Sequence, residues 1–256
     1  MKSTSASGAQ TIQRAIRALK LIAAQPAQGI RLVDVAEEMG LERPTAHRLL
    51  KVLTEERMLI QHPDSRRYSL GALLFELGLA AAHQYNLRDI CQPVLQALTD
   101  ETGDTSFLFV RSGNDVVCLA RKQGSHPIQT PVVPIGSRQP LGVNAGGLAL
   151  LSALPEEEAI QIIEALEPRL SVYGDLEAEQ LLRYWKRAKE VGYALIGEHA
   201  VPGITAVGLP VINASGLPIA AITVASIHAR MSPARLKTII PLLKKGADEL
   251  TRLLRQ

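Results

Sequence analysis

The stretch from Gly29 to Leu70 constrains this chain more than any other: GIRLVDVAEEMGLERPTAHRLLKVLTEERMLI, then QHPDSRRYSL. Leu32, Val35, Ala36 and Met39 recur at helical spacing, which marks one buried helix face. Gly40 follows at once, and a glycine just past the last apolar residue is a common helix stop. A second helix is expected to open with Pro44, whose missing N–H has no partner to lose at a first helical position. Ala46, Leu49, Leu50 and Leu53 then repeat the i, i+3, i+4, i+7 pattern. Thr45, Arg48 and Lys51 fall on the opposite face, with Arg43 and His47 on its flanks.

That second helix has the chemistry of a major-groove reader. Arginine can fork onto guanine, threonine can meet a thymine methyl or a phosphate, and helix N-terminal amides favour phosphate oxygens. Met58-Leu59-Ile60, the turn Pro63-Asp64-Ser65, and Arg66 to Leu70 read as two short strands of a hairpin. Its second strand is expected to start with Arg66 and Arg67, placed against a DNA backbone. Upstream, Ile12, Ala15, Ile16, Leu19 and Ile22 form an amphipathic helix expected to close this small core. The polar start, MKSTSASGAQ, lacks the apolar centre of a signal peptide and reads as a loose arm.

Charge is distributed to match. Residues 1–70 hold 11 basic and 7 acidic side chains, whereas residues 71–256 hold 17 and 18. The positive excess sits in the segment expected to meet a polyanion. At 256 residues and 46% hydrophobic content, the chain can form one large or two modest cores. The two cysteines, Cys91 and Cys118, have no metal-ligand spacing, and neither do the six histidines. The longest apolar run, Leu70 to Ala82, is interrupted by Glu76 and is too short to span a bilayer. No metal, no cofactor, no membrane partner and a cytoplasmic location are expected.

Residues 71–86 read as a connecting helix that is apolar around most of its circumference, a surface that a second copy of the chain would cover. A helix over 87–102, a hairpin turning at Ser112-Gly113-Asn114, two polar helices at 155–166 and 176–191, and late strands at 206–212 and 218–227 follow. Ser232-Pro233 should cap a final helix, with a kink at Pro241. Helices mixed with mainly antiparallel hairpins indicate an α+β fold. The expected organisation is a winged helix-turn-helix over 1–70, the connecting helix over 71–86, and a sensor domain over 87–256.

Between Gly142 and Leu154 three glycines, Gly142, Gly146 and Gly147, stand at a loop-to-helix junction. Free amides there could hold a carboxylate or enolate oxygen; equally, the glycines could serve only close helix packing. Asn144 could add one hydrogen bond. Phe107 and Phe109 fit either a pocket or a core.

Four motifs together resemble the IclR (isocitrate lyase regulator) family of bacterial transcription regulators: LxxVAEEMGLERPTAHRLLKVL, RRYSLGALLFELG, SRQPLGVNAGGLALLSAL and EVGYALIGEHAVPGITAVGLPVINASGLPIAAITVAS. The resemblance implies a GAF-like effector-binding domain, homodimers or dimers of dimers on double-stranded operator DNA, and control by a small organic acid. It carries DNA reading onto Arg43, Pro44, Thr45, His47 and Arg48. It carries effector binding onto Gly142, Val143, Asn144, Ala145, Gly146 and Gly147, onto Glu198, and onto Ala206, Thr223 and Ala225.

The chain also departs from the family pattern. Gly142-Val143-Asn144 stands where His-Ala-Thr is common, Leu148 for a lysine, Ile196-Gly197-Glu198-His199 for an acidic run, Ala206 for a cysteine, and Thr223-Val224-Ala225 for Ser-x-Ser. Lost polar partners favour an effector with an apolar or aromatic body. The expected function is a ligand-responsive repressor of a catabolic operon. The alternatives are an activator of the same architecture or an enzyme acting on the bound molecule. No nucleophile elbow, metal cluster or nucleotide fingerprint supports the enzyme.

Overall fold

The computed structural model describes residues 4–25, 28–82, 87–130, 132–197, 201–213 and 215–254. It divides into two compact units, Met1–Tyr85 and Asn86–Gln256.

The first unit is a winged helix-turn-helix. It comprises α1 (Thr4–Ala23), α2 (Leu32–Met39), α3 (Arg43–Glu55), the antiparallel pair β1 (Leu59–Gln61) and β2 (Tyr68–Leu70), and α4 (Ala72–Ala82). Its core is Ala18, Ile22, Ile30, Val35, Met39, Leu50, Leu53, Leu59 and Tyr68. Gly40 ends α2 in the left-handed conformation, with φ of 62°, where a Cβ would be strained. The third helix starts one residue earlier than expected. Arg43 is its first residue, because Glu42 already has extended backbone and its carbonyl accepts from Ala46.

Three other expectations need correcting. The first helix begins at Thr4, so much of the expected loose arm is helical. Its buried face is built from Ala18 and Ile22, with Ala15 and Leu19 partly buried, while Ile12 and Ile16 face outward. Arg66 and Arg67 belong to the wing turn rather than to a strand; β2 starts at Tyr68, and Arg66 takes a positive φ of 55°.

The second unit is a six-stranded, wholly antiparallel sheet in the order β5-β4-β3-β8-β7-β6. The strands are β3 (Thr105–Ser112), β4 (Asp115–Lys122), β5 (Arg138–Pro140), β6 (Ala194–Ile196), β7 (Ile204–Ile212) and β8 (Pro218–Ile227). Helices α5 (Leu87–Thr102) and α9 (Pro233–Leu253) cover one face, and α6 (Ala145–Ser152), α7 (Glu156–Leu170) and α8 (Ala178–Val191) the other.

Strand alternation divides the side chains between two cores. In β8, Ala221 and Ala225 join the α6 side, while Ala220, Ile222 and Val224 join the α5/α9 side. Phe107 and Phe109 of β3 fall on the α6 side, Leu108 on the other. The edge strands β5 and β6 escape sequence patterning because each has only three residues. Ser232 caps α9 by accepting from the Arg235 amide, and the helix runs on through Pro241 as one element.

Candidate functional sites

In the first unit, the outer side of α3 presents Arg43, Pro44, His47, Arg48 and Lys51, all exposed, while Thr45 is half-buried. Pro44, Arg48, Lys51 and Glu55 share one line along the helix, three or four residues apart. Among the described residues, no acceptor binds the guanidinium of Arg43 or Arg48. Lys51 lies 3.7 Å from Glu55, both well exposed.

The wing arginines differ. Arg67 donates to the Gly29 carbonyl at 2.8 Å and is half-buried, so it ties the base of the wing to the strand-like segment at Ile30. Arg66 is exposed. Its side chain borders a cleft with His47, Ser65 and the first turn of α2. Of the residues read from sequence as DNA-facing, His47 and Arg66 border one cleft, and Arg67 serves the wing's own structure.

In the second unit, a cavity with about 560 Å3 of free space, its open mouth included, lies between the sheet and the start of α6. Phe107 and Phe109 form its floor, their rings stacked at 5.8 Å between centroids and 22° between planes. Of the sequence-predicted positions, Val143, Asn144, Ala145, Ala206, Thr223 and Ala225 all border it. Glu198 lies outside the described residues, as does His199, while Gly197 borders the cavity.

The three glycines do not border it; they allow close packing. A Cβ on Gly146 would stand 2.3 Å from the Phe109 ring, and one on Gly142 would stand 2.5 Å from Leu181. One on Gly147 would stand 2.9 Å from the Gly142 amide nitrogen. Of the two roles left open for this loop, the packing role is the one these contacts favour. Gly208 of β7 acts likewise, since its Cβ would approach the Ala145 carbonyl oxygen to 3.0 Å. Bare backbone at these points seats α6 close upon the sheet.

The cavity's polar groups are few. Asn144 is the N-cap of α6: its Oδ1 accepts from the Gly147 amide at 2.8 Å, and its Nδ2 donates to Gln139 Oε1 at 2.6 Å. Thr223 contributes a buried hydroxyl. Tyr173 contributes a phenol whose pKa burial pushes above its ordinary value, with Asp115 adding to the rise and Arg169 opposing it. At neutral pH that phenol stays protonated and remains a donor. Gln139, Tyr173 and the aromatic floor carried no decisive sequence signal, because a lone Gln or Tyr in a loop or short strand has no periodicity to mark it.

Elsewhere the chemistry is structural. Cys91 and Cys118 are buried free thiols, with pKa values pushed by burial to about 12 and about 11, which leaves them unreactive. Trp185 is core, donating its indole N–H to the Leu151 carbonyl at 3.1 Å. Among the described residues, no group of three His, Cys, Asp or Glu side chains could hold a metal, and no helix is long and apolar enough to cross a membrane.

Comparison with known proteins gives a consistent answer. The model for the bacterial transcriptional regulator IclR C-terminal domain matches residues 79–252, and that for the IclR helix-turn-helix domain matches residues 11–63. The chain is 28% identical to the HTH-type transcriptional regulator XynR of Escherichia coli, over 96% of its length and 97% of the relative's. It is 27% identical to the HTH-type transcriptional repressor AllR of Salmonella typhi, over 98% and 92%. Among solved structures, it is similar to an IclR homolog from Microbacterium hydrocarbonoxydans complexed with 4-hydroxybenzoate. That match has a TM-score of 0.71 at 22% identity and covers 96% of this chain and 99% of the other.

Proposed function

Because the chain belongs to the IclR family of bacterial transcriptional regulators, we propose that it represses a catabolic operon as a homodimer. Each copy would read one half-site with α3, and a small organic molecule in the second unit's cavity would set the balance between DNA-binding and released states. The observation that carries this is the pair of exposed arginines on α3, Arg43 and Arg48, which have no acceptor among the described residues, on a winged helix-turn-helix. Repression is favoured by the AllR relatives, which are named repressors. A ring-sized, apolar-bodied effector is favoured by the stacked phenylalanine floor, and the Microbacterium homolog was crystallised with such a molecule.

Pairing of two copies is supported by α4. Phe75, Leu77 and Leu79 are 68%, 50% and 54% exposed on a helix whose one charged residue is Glu76. Such a surface is costly to leave in water, and a dimer would place two readers on half-sites roughly 34 Å apart. Residues 71–86 are therefore proposed as the dimerisation helix between a DNA-binding domain over 1–70 and an effector domain over 87–256. The bound molecule acts by differential affinity for the two states, so the cavity is assigned to binding, not turnover. A regulator of the chromosome works in the cytoplasm.

The test is a footprint of the purified protein on its own promoter DNA, with wild type and Arg48→Ala side by side. Protection of two half-sites by wild type and none by the variant is expected. Absence of any protected site, or an identical footprint from Arg48→Ala, rejects the assignment of α3 as reader.

A further inference from the structure

We infer that the cavity takes an uncharged aromatic ligand, such as a phenol, aldehyde, ketone or ester, and rejects an ionised carboxylate. This rests on the reading of the cavity as the regulatory ligand site, and it names the chemistry of that ligand.

The start of α6 is where an anion would be held, since unpaired amides and the positive helix end gather there. In this chain the position is already served from within. Asn144 turns its own carbonyl oxygen onto the Gly147 amide, and its remaining amide group is engaged with Gln139. The amide N–H groups that Asn144 and Gln139 have left suit a neutral carbonyl or phenol oxygen but bring no positive charge to balance a carboxylate. Gly146 does not open the helix end either, because the Phe109 ring lies against its Cα.

No lysine, arginine or histidine is among the described residues that border the cavity. The arginine nearest Tyr173 in sequence, Arg169, is bound to Asp115 at 2.7 Å, and Arg138 takes the other oxygen of the same carboxylate at 3.2 Å. Ala206 and Ala225 present methyls, and the Phe107–Phe109 pair presents ring surface. Arg121, opposite Phe107 in the β3–β4 register, donates to the Val133 carbonyl at 3.4 Å; an ionised carboxylate entering the cavity would lose its hydration and meet no cation among the described residues that line it.

An uncharged ring loses little water and gains the aromatic floor. Thr223, 2% exposed, and Tyr173 both border the cavity with a hydroxyl, and Tyr173 keeps its proton. Either can donate to one carbonyl or phenol oxygen. The organic acid expected from the sequence is thereby narrowed to its uncharged relatives.

The test uses the full chain and matched pairs: methyl 4-hydroxybenzoate against 4-hydroxybenzoate, and benzaldehyde against benzoate. Calorimetry and thermal shift are run from pH 8 to pH 6. The uncharged member should bind at least tenfold tighter at pH 8. The acid's apparent affinity should rise roughly tenfold per pH unit on acidification, because only its small neutral fraction binds. Thr223→Val should weaken the aldehyde and ester about tenfold, and Ala206→Leu should abolish their binding by filling the cavity.

Acid binding equal to or tighter than ester binding at pH 8, or acid binding that His199→Ala removes, overturns the inference while leaving the ligand site in place. Binding of no member of either pair, with DNA binding intact, removes the reading of the cavity as a ligand site and this inference with it.

Discussion

The arginines of α3 and the paired arginines of the second unit are put to opposite uses. On α3, Arg43 and Arg48 are exposed and have no carboxylate partner among the described residues. In the second unit, Arg111 is held by Glu158 at 2.7 Å, Arg138 and Arg169 share Asp115, and Arg230 and Arg235 share Asp104, whose side chain is 1% exposed. A free guanidinium keeps its hydration and counterions until it meets phosphate or guanine, and their release then drives binding. A guanidinium already paired inside a fold has given that up and instead fixes the elements it joins. Placement, rather than composition, separates a reading surface from a scaffold.

The largest expected effect tests the scaffold half of that contrast. Asp104 binds the Ser226 hydroxyl at 2.7 Å as well as both arginines, and thereby joins the start of β3 to β8 and α9. Asp104→Ala would strand two cations, and Arg235 Nε is already a buried donor with no partner among the described residues. A loss of about 3–5 kcal/mol in urea unfolding of the full chain is expected. A loss under about 1 kcal/mol, the value of a surface pair, would show that this cluster is not holding the sheet together.

Next comes the close seating of α6. Gly146→Ala would drive a methyl into the Phe109 ring, with an expected cost of about 1–3 kcal/mol and a narrowed cavity floor. Unchanged stability together with unchanged ligand affinity would mean that the ring moves freely. Arg48→Ala should then leave the melting temperature alone and weaken operator binding by about 1–3 kcal/mol. If stability falls instead, Arg48 belongs with the scaffold arginines and the contrast fails.

How far these sites were legible in the sequence follows from the same physics. The first unit was readable because its helices bury one stripe and expose another, so period and charge agree along Leu32–Glu55. The limits there were the ends of elements. Composition gives Arg66 the look of a strand residue, because a non-glycine residue at positive φ leaves no mark there. Ile12 and Ile16 look like core in the sequence because a helix with apolar residues on two sides does not say which side is covered.

In the second unit, late-strand positions such as Ala206, Thr223 and Ala225 were placed through family resemblance and do border the cavity. The glycine loop left two roles open, and only coordinates bring Phe109 and Leu181 against it. Gln139 of β5 and Tyr173 in the turn after α7 lie 34 residues apart in the chain, and their convergence on one cavity is a product of tertiary packing, to which local patterning is blind.

A smaller effect separates the two wing arginines. Arg66→Ala should lower the salt dependence of operator binding by about one phosphate contact, a slope change of roughly 0.9 in log affinity against log salt, without loss of stability. Arg67→Ala should cost about 1 kcal/mol of stability through the lost bond to the Gly29 carbonyl. Equal behaviour of the two variants would erase the distinction between a contact arginine and a holding arginine within one turn.

The smallest effect concerns an ion pair of the first unit that is not scaffold in the sense of Asp104. Arg31 and Asp34 form a two-pronged pair at the start of α2, with both distances 2.9 Å, and their side chains remain 58% and 33% exposed. The Arg31 hydrogen bond holds the Asp34 carboxyl below the usual carboxylate range. In the unfolded chain Asp34 binds a proton at a higher pH than in the folded one. Its contribution is therefore fully present above the unfolded value, about 4, and is lost as pH falls through the folded value. Asp34→Asn and wild type should differ slightly in urea midpoint at pH 7, and the gap should close below about pH 4. High salt at neutral pH should shrink the same gap, because water and ions screen an exposed pair. A gap as wide as that of Asp104→Ala, or one indifferent to both pH and salt, would place this pair with the scaffold and blur the boundary between the units' uses of charge.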